Sequence, residues 1–175
     1  YSNQGDMDVA IEYLDAALAI KPDYPDAIRT KIFLQDYRAE ADFALQQQVR
    51  RYWWDMIGSK QPRRTLEPRS LDPDRRIVVG YVGTEFRQHS AGFTLLPVLR
   101  HHDHERFKII CYYSWPSQDE FTQEFKQCAD EWVDAMQLSD DELADRIEAD
   151  KVDILIDVSG HTTGNRLLVF ARKPA

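Results

Sequence analysis

Arg76-Ile77-Val78-Val79-Gly80-Tyr81-Val82 is a β-branched, almost wholly apolar run. A strand apolar at successive positions is buried on both faces, as in a parallel sheet sandwiched between helices. A polar loop follows, Gly83-Thr84-Glu85-Phe86-Arg87-Gln88-His89-Ser90-Ala91-Gly92, and then helical spacing over about 91–100. The alternation repeats downstream. Phe107–Tyr113 reads as a strand, Glu120–Cys128 as a helix and Trp132–Met136 as a short strand. Ser139-Asp140-Asp141-Glu142 is a capping box that opens a helix to about 149. Val152-Asp153-Ile154-Leu155-Ile156-Asp157-Val158 is the clearest strand, with a loop over Ser159–Gly164 and a last helix from Asn165. Strand–helix alternation of this kind predicts an α/β fold with an open, parallel-sheet, Rossmann-like lobe.

Upstream the pattern is helical. Val9, Ala10, Tyr13, Leu14, Ala17 and Leu18 form one stripe over residues 6–19, and Pro22 ends that helix. A second helix is expected over 25–36. A third is expected over 40–57, with Phe43, Val49, Tyr52, Trp53, Trp54 and Met56. The Trp53–Trp54 pair fits a stacking platform or core packing, and core packing is the expectation. Gly5-x4-Ala10-x3-Leu14-x2-Ala17-x4-Pro22 resembles the second half of a tetratricopeptide repeat, although an ordinary amphipathic helix closed by proline looks similar. Pro62, Pro68 and Pro73 punctuate a stretch, Arg50 to Arg87, with nine basic and five acidic residues, which reads as a linker. The expected organisation is a repeat remnant over 1–36, a helical linker over 37–74 and the α/β lobe over 75–175. The chain begins at Tyr1 without a Met and stops at Arg172-Lys173-Pro174-Ala175, just past an apolar segment. Repeats cannot bury their faces alone, so a fragment cut at both ends is expected.

Composition excludes several classes. The chain has 175 residues, 43% hydrophobic, with a net charge of −8, which is globular composition but too acidic for non-specific nucleic-acid binding. No run of eighteen apolar residues occurs, so no membrane span is expected, and no signal peptide is visible. Cys111 and Cys128 make no CxxC pair and no disulfide framework, so reduced thiols in a cytoplasmic protein are expected. Between Gln118 and Asp157 fourteen acidic residues face three basic ones, which reads as solvated helix faces.

Ligands of parallel sheets bind at the carboxyl ends of the strands. That rule selects the loop Gly83–Gly92 and the loop Ser159-Gly160-His161-Thr162-Thr163-Gly164-Asn165-Arg166. Each holds a His, hydroxyl residues and glycines, and each enters a helix whose amino end suits a phosphate or a sugar hydroxyl. His89 and His161 can each move a proton near neutral pH, or merely cap a helix. Gly80-x2-Gly83 lacks the dinucleotide spacing and no P-loop is present. His101-His102-Asp103-His104 carries metal-ligand side chains but sits in a polar turn with no partner at ligand spacing, so a solvated connection is expected and no metal. Asp153 and Asp157 flank the clearest strand, with Asp157 near its functional end.

Arg76–Val82 with Phe86-Arg87-Gln88-His89, then Leu95-Leu96-Pro97, then Asp153–Asp157, Gly160-His161-Thr162-x-Gly164-Asn165-Arg166-Leu167 and Phe170-Ala171-Arg172-Lys173-Pro174-Ala175 resemble the O-linked N-acetylglucosamine transferase family. More narrowly, they resemble its bacterial, SPINDLY-like members that carry tetratricopeptide repeats. The resemblance implies the first half of a two-lobed GT-B fold. It implies transfer of N-acetylglucosamine from UDP-N-acetylglucosamine to Ser or Thr hydroxyls of proteins, with inversion, no required metal and no cofactor beyond the donor. The repeats would hold the acceptor protein, and the nucleotide would be gripped mainly by a second lobe that is not present here. The family's D-F-x-x-H motif falls on Glu85-Phe86-Arg87-Gln88-His89, which nominates His89, as base or sugar contact, and Glu85 as catalytic. Its Gly-His/Tyr-Thr loop nominates Gly160, His161, Thr162, Gly164, Asn165 and Arg166 for substrate binding.

The chain departs from the family at four places. Glu85 stands for Asp, Ser90 for Pro, Phe93 for a second His and Arg38 for a linker His. Arg cannot act as a base at neutral pH. Two readings follow: part of a transferase, inactive by itself, or a non-catalytic repeat-plus-α/β module that binds protein partners.

Overall fold

The computed structural model describes residues 6–38 and 42–175. The described residues form two compact units, divided along the chain between Gln61 and Pro62. The first unit is helical: α1 Met7–Ile20, α2 Pro25–Tyr37 and α3 Phe43–Met56, followed by a 3-10 turn Gly58–Lys60. Asp6 caps α1 by accepting from Val9 N, and Asp42 caps α3 by accepting from Leu45 N at 2.8 Å. Pro25 opens α2 at a position where a missing N–H costs nothing. Leu18, Ala27, Ile28, Ile32 and Val49 form the core of this unit, with Tyr52, Trp53 and Met56 packed on it. Trp53 thus joins a core, as expected. A Cβ at Gly58 would stand 2.6 Å from the Trp54 ring and 2.8 Å from that of Trp53, so the glycine is what lets the chain turn beneath both indoles. Gly5 and residues 39–41 lie outside the described residues. Arg38 is ion-paired with Asp8 at 3.0 Å.

The second unit is a four-stranded, all-parallel sheet in the order β3-β2-β1-β4, with β1 Ile77–Gly83, β2 Phe107–Tyr113, β3 Glu131–Asp134 and β4 Ile154–Asp157. Connecting and closing helices are α4 Ser90–Arg100, α5 Glu120–Cys128, α6 Asp140–Ala149 and α7 Leu167–Arg172. Strands alternate between two cores. Val79, Tyr81, Ile109, Cys111 and Tyr113 face Leu96, Leu99 and Phe125, the side of α4 and α5. Val82, Ile110 and Tyr112 face Leu143, Ile147 and Val169, the side of α6 and α7. The expected doubly covered, Rossmann-like α/β lobe is therefore present.

Several boundaries shift by a few residues, among them the strand expected over Trp132–Met136, which is Glu131–Asp134. The predicted strand at 152–158 narrows to Ile154–Asp157, although Asp153 N and Val158 N still donate to Val78 O and Val82 O at 2.9 Å each. The last helix starts at Leu167 rather than Asn165, because Asn165 is spent on its own loop: Nδ2 donates to Thr162 O at 2.7 Å, and Oδ1 accepts from Leu167 N. The chain leaves β1 towards β2 on one side, and β4 lies on the other. The order therefore reverses between β1 and β4, and the carboxyl edge at that point is where ligands of such sheets bind.

Candidate functional site at the carboxyl edge of the sheet

The loop after β1 is anchored from within. Phe86 is fully buried and packs edge-on against Phe125, Trp132 and Tyr113, with centroids 5.4, 5.7 and 6.1 Å away. Gly92, in the first turn of α4, lies against the loop backbone, and a Cβ there would come 2.3 Å from Arg87 O and 2.7 Å from Glu85 O. The Gln88 amide donates to Asp119 Oδ2 at 2.8 Å. An aromatic plug, a close helix and a carboxylate thus fix a segment that has no regular secondary structure.

Glu85 ties the β1 loop to the β4 loop. It is 3% exposed, and its carboxylate accepts four hydrogen bonds: from Thr84 N (2.8 Å), Thr84 Oγ1 (2.7 Å), Ser159 Oγ (2.5 Å) and Thr162 Oγ1 (3.2 Å). A carboxylate has about four acceptor sites, so these donors fill it, the Thr162 hydroxyl proton being shared with Ser159 O at 2.8 Å. Sequence reasoning grouped Glu85 with His89 as catalytic. The structure gives it a fastening geometry, with Ser159 and Thr84 as partners. Both hydroxyls stand in the two loops quoted above, but nothing in the sequence paired them with Glu85.

Beside this knot, Asp157 ends β4 and accepts from Ser159 N (3.1 Å) and Gly160 N (3.0 Å). Burial pushes its carboxyl above the ordinary value, and the nearby Glu85 charge adds to that, against the lowering effect of the two amides. Gly160 and Gly164 take φ of +56° and +81°, left-handed values that glycine adopts freely. A Cβ at Gly160 would meet nothing within 4 Å, whereas one at Gly164 would meet Thr84 Cγ2 at 3.0 Å and the Trp115 ring at 3.5 Å.

His89 is the N-cap residue of α4, half-buried, with Nδ1 accepting from Ala91 N at 3.3 Å. An amide directed at Nδ1 needs a lone pair there, so the neutral ring carries its proton on Nε2 and offers a donor. His161 is half-buried in the β4 loop. Thr162 is held by Glu85 and by Ser159 O, and Asn165 by Thr162 O. Arg166 is drawn away from the loop tip: Nε donates to Asp140 Oδ1 at 2.7 Å, Nη1 to Ala135 O at 3.2 Å and Nη2 to Leu138 O at 2.7 Å. It therefore braces the β3–α6 connection. Trp115, from the loop after β2, also lies at this edge, with the Arg87 guanidinium 4.7 Å from its ring centroid. Applying the strand-end rule to every strand, β2 included, would have found it.

The three other histidines belong to the connection between α4 and β2, at the opposite edge. His101 Nδ1 meets Pro97 O at 2.7 Å, His102 Nε2 meets Tyr81 Oη at 2.7 Å and His104 Nδ1 meets Asp130 Oδ2 at 2.9 Å. Each is engaged separately, and among the described residues no group of three or more His, Cys, Asp or Glu is placed to hold a metal ion. Asp153 is structural too. It takes a two-pronged hydrogen bond from Arg75 (2.7 and 2.8 Å) and one from Val78 N (2.8 Å). Burial would raise its carboxyl, but these donors outweigh burial and hold it below the ordinary value.

The chain is 28% identical over 162 residues to a probable UDP-N-acetylglucosamine–peptide N-acetylglucosaminyltransferase SPINDLY of Solanum lycopersicum, covering 90% of this chain and 17% of that protein. It is 32% identical over 102 residues to the probable enzyme of the same type named SEC from Arabidopsis thaliana, covering 58% of this chain and 10% of that protein. Its structure superposes on that of a mutant O-GlcNAc transferase of Thermobaculum terrenum with a TM-score of 0.90 and 33% identity, over 98% of this chain and 33% of that one. The chain thus spans less than a fifth of the SPINDLY relative and a third of the solved transferase. The sequence pattern of glycosyl transferase family 41 matches residues 57–175, and it includes every strand and loop of the site. The chain belongs to glycosyl transferase family 41.

Proposed function

We propose that the chain is part of a protein O-linked N-acetylglucosamine transferase: residues 1–36 a tetratricopeptide-repeat remnant, 37–74 a linker and 75–175 the N-terminal lobe of a GT-B catalytic region. The parent protein would move N-acetylglucosamine from UDP-N-acetylglucosamine to Ser or Thr hydroxyls of proteins with inversion. It would need no metal, and its repeats would hold the acceptor. We place it in the cytoplasm; Cys111 and Cys128 are both free thiols, and no described helix is long and apolar enough to cross a membrane. By itself this chain would not turn over, because the nucleotide is held mainly by the other lobe.

The observation that carries this reading is the fastening of two strand-end loops by Glu85 at the point where strand order reverses. It fixes the β1 loop, and with it His89 at the head of α4, without using any His89 ring atom. Inverting transfer takes the acceptor proton away and leaves charge on the departing diphosphate. A ring whose Nδ1 caps a helix presents Nε2–H, so His89 fits a donor to a substrate oxygen better than a base. Glu85, saturated by four donors, fits a positioning role. His161, Thr162 and the glycines at 160 and 164 shape the opposite wall, whereas Arg166 supports that wall from behind.

The test uses the full-length parent protein. Asparagine at position 89 keeps a side-chain oxygen for the Ala91 amide but loses the ring donor. His89→Asn is expected to leave thermal stability unchanged and to slow transfer about 100-fold. Equal rates remove His89 from the mechanism. If the wild-type parent shows no UDP binding by calorimetry, the transferase reading fails and the scaffold reading takes its place.

A further inference from the structure

We propose that Arg87, backed by Trp115, binds an oxyanion of a substrate, either a carboxylate of the acceptor polypeptide or a phosphate of the donor. The inference rests on the transferase reading above and assigns a group that the family motif leaves as a variable position.

Three observations support it. First, Arg87 has no carboxylate among the described residues within ion-pairing distance, in a chain whose net charge is −8. Most arginines of the same unit are paired: Arg75 with Asp153, Arg76 with Asp130, Arg166 with Asp140 and Arg172 with Asp141. Asp119 is close enough for the Arg87 charge to help lower its carboxyl. Its oxygens accept from the Gln88 amide and from the amide and hydroxyl of Thr122, not from Arg87.

Second, the guanidinium is held in place without being used up. Nε donates to Thr84 O at 3.2 Å, and Cζ lies over the Trp115 ring, 4.7 Å from its centroid. Neither Nη atom has a hydrogen-bond partner among the described residues. A stacked guanidinium keeps its planar fork and loses little further freedom when it binds. The Trp115 ring is itself wedged against the Gly164 turn, 3.5 Å from where a Cβ would stand. The platform therefore joins the loops after β1, β2 and β4.

Third, the location is right. Arg87 is two residues from His89 and two from Glu85, in the loop that the aromatic plug and Gly92 hold still. Two free Nη groups on a fixed plane match the paired oxygens of a carboxylate or phosphate.

The test measures steady-state kinetics of the full-length parent with two acceptor peptides, one flanked by acidic residues and one by neutral residues. Arg87→Met keeps the apolar stem on Trp115 and removes the charge; Arg87→Lys keeps the charge and removes the fork. Arg87→Met is expected to raise one KM about tenfold, with kcat changed less and the melting temperature unchanged, and Arg87→Lys to recover only part of the loss. A rise confined to the acidic peptide identifies the acceptor carboxylate. A rise in the KM for UDP-N-acetylglucosamine with both peptides identifies the donor phosphate. Unchanged KM values for donor and both acceptors, in a parent whose wild type is active, overturn the assignment. An inactive wild type overturns the transferase reading and this inference with it.

Discussion

The two edges of the sheet use the same residue type in opposite ways. At the amino edge the carboxylates of Asp153 and Asp130 are met by arginines: Arg75 on the first, and Arg76 with His104 on the second. Both also accept a strand amide, Val78 N and Ile109 N, and both titrate below the ordinary range, the cationic and amide donors outweighing burial. At the carboxyl edge Glu85 and Asp157 receive only hydroxyls and amides, and Asp157 titrates above the ordinary range, chiefly through burial. Charge is neutralised where the sheet merely has to hold. At Glu85 and Asp157, in the loops of the proposed substrate site, no cation answers the charge among the described residues, and Arg87 beside them lies over Trp115 rather than in an ion pair. A site is thus marked less by which residues it contains than by whether the protein has already answered their charges.

Glycine at the carboxyl edge gives the sharpest break. At Gly92→Ala the new methyl would collide with two backbone carbonyls rather than with a flexible side chain. The first turn of α4 and the Glu85 loop must separate. Unfolding in denaturant should show a loss of about 3 kcal/mol. Near-wild-type stability would mean that the loop is not pinned by the helix.

Next in size is the contrast between the edges themselves. Asp153→Asn turns an amide NH2 towards a guanidinium, two groups that can only donate, and should cost about 2 kcal/mol. Glu85→Gln can set its NH2 at the Oε1 position, towards the Thr84 and Thr162 hydroxyls, which can reverse and accept, and keep its oxygen for the Thr84 amide and the Ser159 hydroxyl, so about 1.5 kcal/mol is expected despite the deeper burial. If Glu85→Gln proves the costlier of the two in the same denaturant titration, the hydroxyl knot is not adaptable in the way described. Gly160→Ala should cost about 1 kcal/mol, the penalty of a left-handed backbone for an alanine with nothing to strike.

Much of this was legible in the sequence, and the exceptions have physical reasons. Period and capping chemistry are local, so Phe107–Tyr113 and the Ser139 capping box are found where the pattern puts them. The rule for parallel sheets then located both loops without any structure. Partner choice is not local. Glu85 and Ser159 are 74 residues apart in sequence, and no periodicity links them. Arg166 belongs by sequence to the loop after the last strand, but its long side chain reaches Asp140 instead. The helix expected from Asn165 starts later for a related reason: a side chain able to bond its own backbone favours the loop over the helix interior.

The finest test of the two-edge contrast is the sign of a pH dependence. Asp153 has a folded pKa below its unfolded value of about 3.9. Its contribution is complete above that value and is lost as pH falls through the folded pKa. Asp157 has a folded pKa above its unfolded value. The native state then holds its proton longer than the unfolded chain, so the contribution of Asp157 falls as pH rises from about 4 through the raised pKa. Stability measured against pH for the wild type, Asp153→Asn and Asp157→Asn separates the two. Below about pH 4 the deficit of Asp153→Asn should widen as pH rises, because only the wild type gains. Above about pH 4 the deficit of Asp157→Asn should narrow as pH rises, because only the wild type pays for ionising a buried carboxyl that no arginine meets. If both deficits move in the same direction, the carboxyl edge is not the uncompensated one, and the reason for placing substrate oxyanions beside Arg87 weakens with it.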